Sequence, residues 1–315
     1  MCFTGEMSAA FAALGLFAAW WVHTKTNNFE LASGIFFFFT MEFLQAIQYY
    51  YIAPDLKTSA QCQNSALRSL TPTPCDDPIN KILTLLGFLH ICLQPYFCHV
   101  INCSLTKSCK YRDRYRIIKR LCLIGGFLLF LRYFLSFIPA LNTMDLTSQP
   151  STEWLRGEIL CTYKNEKMTH LGWSVPMADP SYYVMGASIH SFLMFAPFFV
   201  LYEKKGMIIQ GLFLFITGPM MAAYISDNLM EQASIWCFFS IAQISIMLFL
   251  IRETLIIHWG KGNISVIKKE DKKTGESVTE YKPVVCRDFL KCEYCDAENK
   301  MLKKIFDAQQ KRKNQ

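Results

Sequence analysis

The hydrophobic pattern of this chain consists of seven long apolar stretches separated by polar links. A helix that crosses a bilayer needs about 20 predominantly apolar residues, and its backbone polar groups must be bonded internally. The pattern therefore predicts an all-α, polytopic membrane protein with seven transmembrane helices. The predicted spans cover residues 7–22, 31–52, 82–101, 117–141, 182–202, 207–225 and 233–257.

A polar segment, residues 259–315, follows the seventh stretch. Its first half has two runs of alternating apolar and polar residues around a D-K-K-T-G turn, which predicts a β-hairpin. Its second half has Met301, Leu302, Ile305 and Phe306 at helical spacing among charges, which predicts an amphipathic helix. We therefore expect two domains, a transmembrane bundle (residues 1–258) and a tail (residues 259–315).

Composition agrees with a membrane protein, and the charge distribution predicts its orientation. Charged residues make up 18% of the 315 residues, below the level of about 25% that is typical of soluble domains. The link 107–120 carries seven Lys and Arg against one acid, whereas the link 226–232 contains Asp227 and Glu231 and no basic residue. Because basic links stay in the cytoplasm, we expect the N-terminus outside and the C-terminus and tail inside.

Three cysteines lie in links that this orientation places outside, where disulfides persist. Cys75 and Cys161 are the expected pair, with Cys62 as the alternative partner. Three free thiols are the other interpretation.

The tail contains a second group of cysteines, at C-x5-C-x2-C spacing. Two such thiols supply half of a tetrahedral zinc site, so Cys286, Cys292 and Cys295 are candidate metal ligands. Reduced cytosolic thiols explain the same spacing. We predict no other cofactor.

Polar side chains inside the spans are the main functional signal, because ionisable groups there are costly and usually face the bundle interior or a water-filled cavity. Glu42 and Gln45 share one face of the second span, and His90 and Gln94 share one face of the third. Pro95 has no N–H and is expected to kink the third span. The candidate ion or substrate pathway is Glu42, Gln45, His90, Gln94, Pro95 and His190.

Glu42 and His90 both lie near the middle of their predicted spans, so a bond between them is geometrically feasible. One interpretation is a proton-coupled or cation-binding site, since His titrates near neutral pH. The other is a polar clamp that fixes helix packing.

Four segments carry a resemblance to a known family: MCFTGEMS, MEFLQAIQYY, LLGFLHICLQPYF and CTYKNEKMTHLGWSVP. They resemble a family of seven-helix membrane proteins from bacteria and large DNA viruses that start M-C-[FW]-[ST]-x-E-x-S and have no assigned activity. Thr4 stands where Ser is common in that family and keeps the hydroxyl. The resemblance implies the fold and no reaction; its motif positions here are Cys2, Ser8, Glu42, Gln45, His90, Gln94, Pro95, Cys161, His170 and Trp173.

Cys2 suggests a second candidate site. If Met1 is removed, an amine and a thiol on adjacent carbons can chelate a metal or act as a nucleophile. The outer-site candidates are Cys2, Glu6, His170 and Trp173. A thiol packed or lipidated at the membrane interface is the simpler interpretation.

Three functions fit these features. The first is a transporter or channel for a small cation, proton or polar solute in the plasma membrane, an endomembrane or a viral membrane. The second is a sensor or receptor with an outer ligand site and a cytoplasmic partner at residues 107–120 or the tail. The third, less expected, is a membrane enzyme that uses Cys2 or a His-bound metal. We expect the lipid bilayer as a partner and no nucleic acid.

Overall fold

The computed structural model describes residues 4–26, 28–52, 75–106, 109–142, 153–164, 168, 170–179, 187–201, 205–259, 264–270 and 277–283. Eight α-helices occur in these ranges: α1 Gly5–Lys25, α2 Phe29–Ile52, α3 Pro78–Leu105, α4 Cys109–Leu135, α5 Ala187–Val200, α6 Lys205–Phe215, α7 Met221–Ile225 and α8 Leu229–Trp259. A π-helical turn, Ile216–Met220, joins α6 to α7, so that these elements form one continuous segment.

Five segments of the described chain are long and apolar enough to cross a bilayer: Gly5–Lys25, Phe29–Tyr50, Pro78–Leu105, Met207–Ile225 and Leu229–Arg252. The first half of α4 is too basic for this criterion, and α5 has only 14 residues. The structure is therefore that of a helical membrane protein. Seven spans and the orientation remain predictions.

The sequence predicted that residues 107–120 form a link between two helices. This prediction is wrong, because α4 already begins at Cys109. The basic residues from Lys110 onward lie in the first turns of that helix, where Arg116 pairs with Asp113 at 2.9 Å and Lys119 lies 3.5 Å from Glu30 of α2. Apolar sequence marks the part of a helix inside the bilayer, whereas backbone hydrogen bonding continues beyond it. The third helix extends past its predicted bounds for the same reason.

Close helix contacts depend on glycines at two crossings. A Cβ on Gly15 of α1 would overlap the Phe39 ring of α2, and a Cβ on Gly126 of α4 would lie 2.2 Å from the Cys92 carbonyl oxygen of α3. Small residues allow membrane helices to approach closely. The α1–α2 and α3–α4 pairs consequently pack with their backbones near each other.

A small β-structure covers the end of the bundle where α2 ends and α3 begins, and we call residues 153–179 the cap. Strands β1 (Cys161–Tyr163) and β2 (Gly172–Ser174) pair antiparallel, with Thr162 opposite Trp173. The Asn80 side chain of α3 bonds both backbone groups of Thr162, at 2.8 Å each. The all-α prediction missed this strand pair, which is too short to give a periodic signal.

One disulfide and one buried ion pair hold the cap on the helices. A disulfide joins Cys75, just before α3, to Cys161 of β1, which is the favoured pair. Arg132 of α4 is fully buried and binds both carboxylate oxygens of Glu153, at 2.5 and 2.8 Å, and the Ala178 carbonyl. A buried charge needs such complete pairing, so Arg132 anchors both ends of the cap.

Strands β3 (Ile264–Glu270) and β4 (Ser277–Pro283) of the tail pair antiparallel, with Ile267 opposite Glu280. The expected amphipathic helix at residues 301–306 lies outside the described residues, and the two-domain division remains a prediction.

Candidate functional site

The first turns of α1 bring a hydroxyl to the bundle interior. The Thr4 side chain caps the helix by accepting from the Met7 N–H at 3.4 Å, the usual role of Ser or Thr at this position. The capped helix then directs Ser8, which is 1% exposed, toward α2. Cys2 lies outside the described residues, and Glu6 is exposed in the first turn of α1.

Four polar side chains from four helices lie close together in the bundle interior, and Gln45 lies one turn from one of them, Glu42. The Ser8 hydroxyl of α1 lies beside the Glu42 carboxyl of α2, and Cys237 of α8 lies near the same carboxyl. The Gln94 amide of α3 donates to the Cys237 sulfur at 3.1 Å. We call Ser8, Glu42, Gln45, Gln94 and Cys237 the Glu42 cluster.

Glu42 and Gln45 are fully buried, yet their polar atoms are not satisfied within the described chain. Both carboxylate oxygens of Glu42 and both amide atoms of Gln45 lack a partner at hydrogen-bond geometry, although Ser8 is adjacent. An unsatisfied buried polar group costs about 1–3 kcal/mol, and an isolated buried charge costs more. Glu42 and Gln45 are therefore the candidate site residues of the bundle interior.

His90 does not join this cluster. Its Nε2 lies 2.7 Å from the Phe37 carbonyl oxygen of α2, and its ring stacks on the Phe37 ring at 4.0 Å. Phe97 stacks on the Phe37 ring at 3.8 Å. The hypothesised bond between Glu42 and His90 is therefore absent, and His90 joins α2 to α3.

His190 and Pro95 form one half of a reciprocal contact between α3 and α5. Because Pro95 has no N–H, the Ile91 carbonyl four residues earlier loses its helical donor. The His190 Nε2 of α5 lies 2.7 Å from that carbonyl oxygen. A carbonyl oxygen can only accept, so His190 supplies the hydrogen bond that Pro95 removes.

His99 and Pro197 form the other half, with the helices exchanged. Pro197 of α5 leaves the Leu193 carbonyl without its helical donor, and the His99 Nε2 of α3 lies 2.8 Å from that oxygen. The Asn102 amide donates to the second ring nitrogen, His99 Nδ1, at 3.2 Å. We call the two contacts the His–Pro clasps.

Sequence reasoning did not find the second clasp, although a signal was available. Each proline inside a span predicts an unpaired carbonyl four residues earlier, and each intramembrane histidine is a candidate donor to it. The sequence does not say which histidine meets which carbonyl, because the partners come from different helices.

The outer-site candidates His170 and Trp173 belong to the cap and serve its packing. The His170 N–H donates to Glu231 of α8 at 2.5 Å, and His170 Nδ1 accepts from the Leu171 N–H at 2.8 Å. Trp173 Nε1 donates to Gln48 of α2 at 3.2 Å. Burial, and then the nearby Lys164 charge, lower the pKa of His170 to about 3.

The candidate metal ligands of the tail, Cys286, Cys292 and Cys295, lie outside the described residues. Within the described ranges, no group of three or more His, Cys, Asp or Glu side chains is arranged to hold a metal ion.

The fold and the buried polar cluster define a helical membrane protein with a covered end. The chain belongs to a family of unknown function (DUF5765), whose model matches residues 6–256. No curated protein and no solved structure matches the chain significantly. The family extends over the bundle and the cap and assigns no reaction to them.

We predict that His190→Phe destabilises the protein and that Pro95→Ala compensates for it. The alanine N–H restores the helical donor to the Ile91 carbonyl, so a double-mutant cycle of thermal unfolding in detergent should give a favourable coupling of about 1 kcal/mol, within the range for membrane hydrogen bonds. Combining His190→Phe with Pro197→Ala is the matched control and should show no coupling. Equal coupling in both cycles would contradict the clasp assignment.

His170 predicts a pH dependence of stability. The unfolded chain binds a proton at this residue below its ordinary pKa of 6.5, whereas the folded chain does so only near pH 3. Stability is therefore fully present above pH 6.5 and falls as the pH drops from 6.5 toward 3, by about 2 kcal/mol between pH 7 and 5. His170→Asn, which keeps an acceptor for Leu171, should flatten this part of the unfolding profile.

His23 is exposed and provides the control, because His23→Asn should keep the wild-type profile. An unchanged slope in His170→Asn would show that other groups cause the pH dependence.

Proposed function

We propose that the protein is a transporter or channel for a proton or a small monovalent cation, and that Glu42 holds the transported species. The observation that carries the proposal is the fully buried Glu42 carboxyl, together with the unsatisfied Gln45 amide one turn away. A structural polar clamp would have its hydrogen bonds satisfied, as the three membrane histidines have at Nε2. Neither Glu42 nor Gln45 has such a bond within the described chain.

The charge of the cluster favours a single positive charge as its occupant. Glu42 is its one carboxylate, and the other members contribute hydroxyl, amide and thiol groups. A proton or a monovalent cation neutralises the site, whereas a divalent ion would leave a net charge in the low-dielectric interior. Divalent cations also prefer several carboxylates or retained waters.

A small cavity lies between the Glu42 cluster and the cap. Its volume is about 20 Å³, enough for about one water molecule. Gln94 and His190 line it from the helices, and Trp154 and Leu155 line it from the cap. Since Gln94 also bonds Cys237 of the cluster, this cavity adjoins the cluster on the side of the cap.

We expect Glu42→Gln to abolish flux while the protein stays folded. The amide has nearly the same shape as the carboxyl and carries neither a transferable proton nor a charge. Flux of protons, Na⁺ and K⁺ would be measured in sealed proteoliposomes with a pH dye and ion-selective dyes. Wild-type flux should exceed that of protein-free vesicles, and the variant should not exceed it.

Glu30→Gln is the matched control on the same helix, because Glu30 is 55% exposed and lies 3.5 Å from Lys119 at the opposite end of α2. It should keep wild-type flux. The proposal fails if folded wild-type protein shows no flux for any ion, or if Glu42→Gln conducts as well as wild type.

We further propose seven spans with the cap outside and the first turns of α4 in the cytoplasm. The disulfide favours an oxidising side for the cap. The basic turns of α4 lie at the opposite end of α3, as expected for a cytoplasmic face that contacts anionic lipid or a partner.

This orientation predicts protection of a reporter domain fused to the C-terminus in right-side-out vesicles. Added protease should cleave a reporter fused to the N-terminus and spare the C-terminal one until detergent is added. The reverse pattern would invert the orientation, and the same exposure for both would exclude an odd number of spans.

A further inference from the structure

A second cavity, of about 580 Å³, lies among the membrane helices toward the end away from the cap. Its walls come from α3, α5, α6 and α8, with Phe38 of α2 at one edge. No member of the Glu42 cluster lines it. Its size falls within the range of about 300–1,000 Å³ that is usual for small-molecule sites.

The segment that forms one wall of this cavity, α6, continues directly into the π-helical turn. Gly218 in the turn packs closely on Trp236 of α8, and Gly211 of α6 packs closely on Phe198 of α5. The segment therefore contacts α8 at the turn and α5 along α6, and the cavity lies between α6 and residues 236–251 of α8. Single π turns within helices frequently occur at functional sites.

The wall is apolar, and none of its residues is charged. Large side chains such as Phe195, Phe198, Phe213, Trp236 and Met247 form most of it. Two of its polar groups are already bonded, Asn102 to His99 and Ser240 to the Trp236 carbonyl. The lining therefore suits a neutral, mainly hydrocarbon ligand.

Gln243 of α8 supplies one unsatisfied acceptor in this wall. Its side chain is 5% exposed, and its Nε2 donates to the Thr217 hydroxyl of the π-helical turn. The Thr217 hydroxyl in turn donates to the Phe213 carbonyl at 2.6 Å. The Gln243 Oε1 has no partner in the described chain, and a buried amide oxygen needs a donor.

We propose that this cavity binds a neutral membrane lipid with a hydroxyl group, and that the hydroxyl donates to Gln243 Oε1. The hydrocarbon body occupies the space between α6 and α8, where a lipid can enter sideways from the bilayer. An anionic lipid would place its charge in a wall without a cationic partner, which is unfavourable. The proposal does not depend on cation transport at Glu42.

The test uses a photoactivatable long-chain alcohol with the full-length protein in lipid vesicles. Labelled peptides identified by mass spectrometry should come from α6 and from residues 240–251 of α8. Unlabelled alcohol should compete, and its methyl ether, which cannot donate, should compete about tenfold less well, the effect of one lost hydrogen bond.

Gln243→Leu should remove the preference for the alcohol over the ether. Gln210→Leu is the matched control, because Gln210 lines the opposite wall and its amide already contacts Met247 at 3.9 Å. It should keep the preference. The comparison of alcohol and ether on wild-type protein tests the proposal even if the variants fold poorly.

Three results would overturn the proposal. Equal competition by alcohol and ether on wild type would mean that the cavity holds hydrocarbon without recognising a hydroxyl. Labelling spread evenly over all lipid-facing helices would mean that the cavity is not a site. Crosslinks between two chains through α6 and α8, with no lipid labelling, would mean that a second copy covers it. Glu42→Gln should label like wild type.

Discussion

The bundle depends on one constraint, which is that a backbone carbonyl deprived of its donor inside a membrane must find another. Pro95 and Pro197 each free a carbonyl, and His190 and His99 from the opposite helix bond them. Each helix supplies one histidine donor and one free carbonyl, so hydrogen bonds join α3 to α5 at two levels. Water is unavailable as a substitute donor at this depth, and the relative position of the two helices is therefore fixed by hydrogen bonds as well as by packing.

The same constraint distinguishes structural polar residues from candidate functional ones. The three membrane histidines each bond a carbonyl of a neighbouring helix through Nε2, and Arg132 binds Glu153 and Ala178 beneath the cap. Like Glu42 and Gln45, these groups are polar side chains that are buried among the helices. The difference is that no side-chain polar atom of Glu42 or Gln45 has a partner at hydrogen-bond geometry within the described chain, whereas each of the three histidines and Arg132 is bonded through at least one side-chain nitrogen.

The cap and the large apolar cavity give the two ends of the bundle different properties. At one end, Thr162 is held by Asn80, and the disulfide fixes the strand above α3. This arrangement closes the bundle over a cavity the size of one water molecule. Toward the other end, a large apolar cavity lies beside α6 and α8. The covered end suits the small cation proposed at Glu42, and the cavity between α6 and α8 suits the proposed neutral lipid.

The sequence by itself determined the class of protein and the approximate position of the apolar segments, and it marked Glu42 as a candidate site residue. Hydrophobicity and the cost of a buried carboxyl are local properties that can be assessed without knowing any neighbour. Only the tertiary structure decided that His90 bonds Phe37 and not Glu42, that His190 serves Pro95, and that basic residues after Cys109 are helical. Those outcomes depend on which atoms from distant parts of the chain meet, and a hydrogen bond is satisfied or left open by differences of about 1 Å that sequence spacing does not encode.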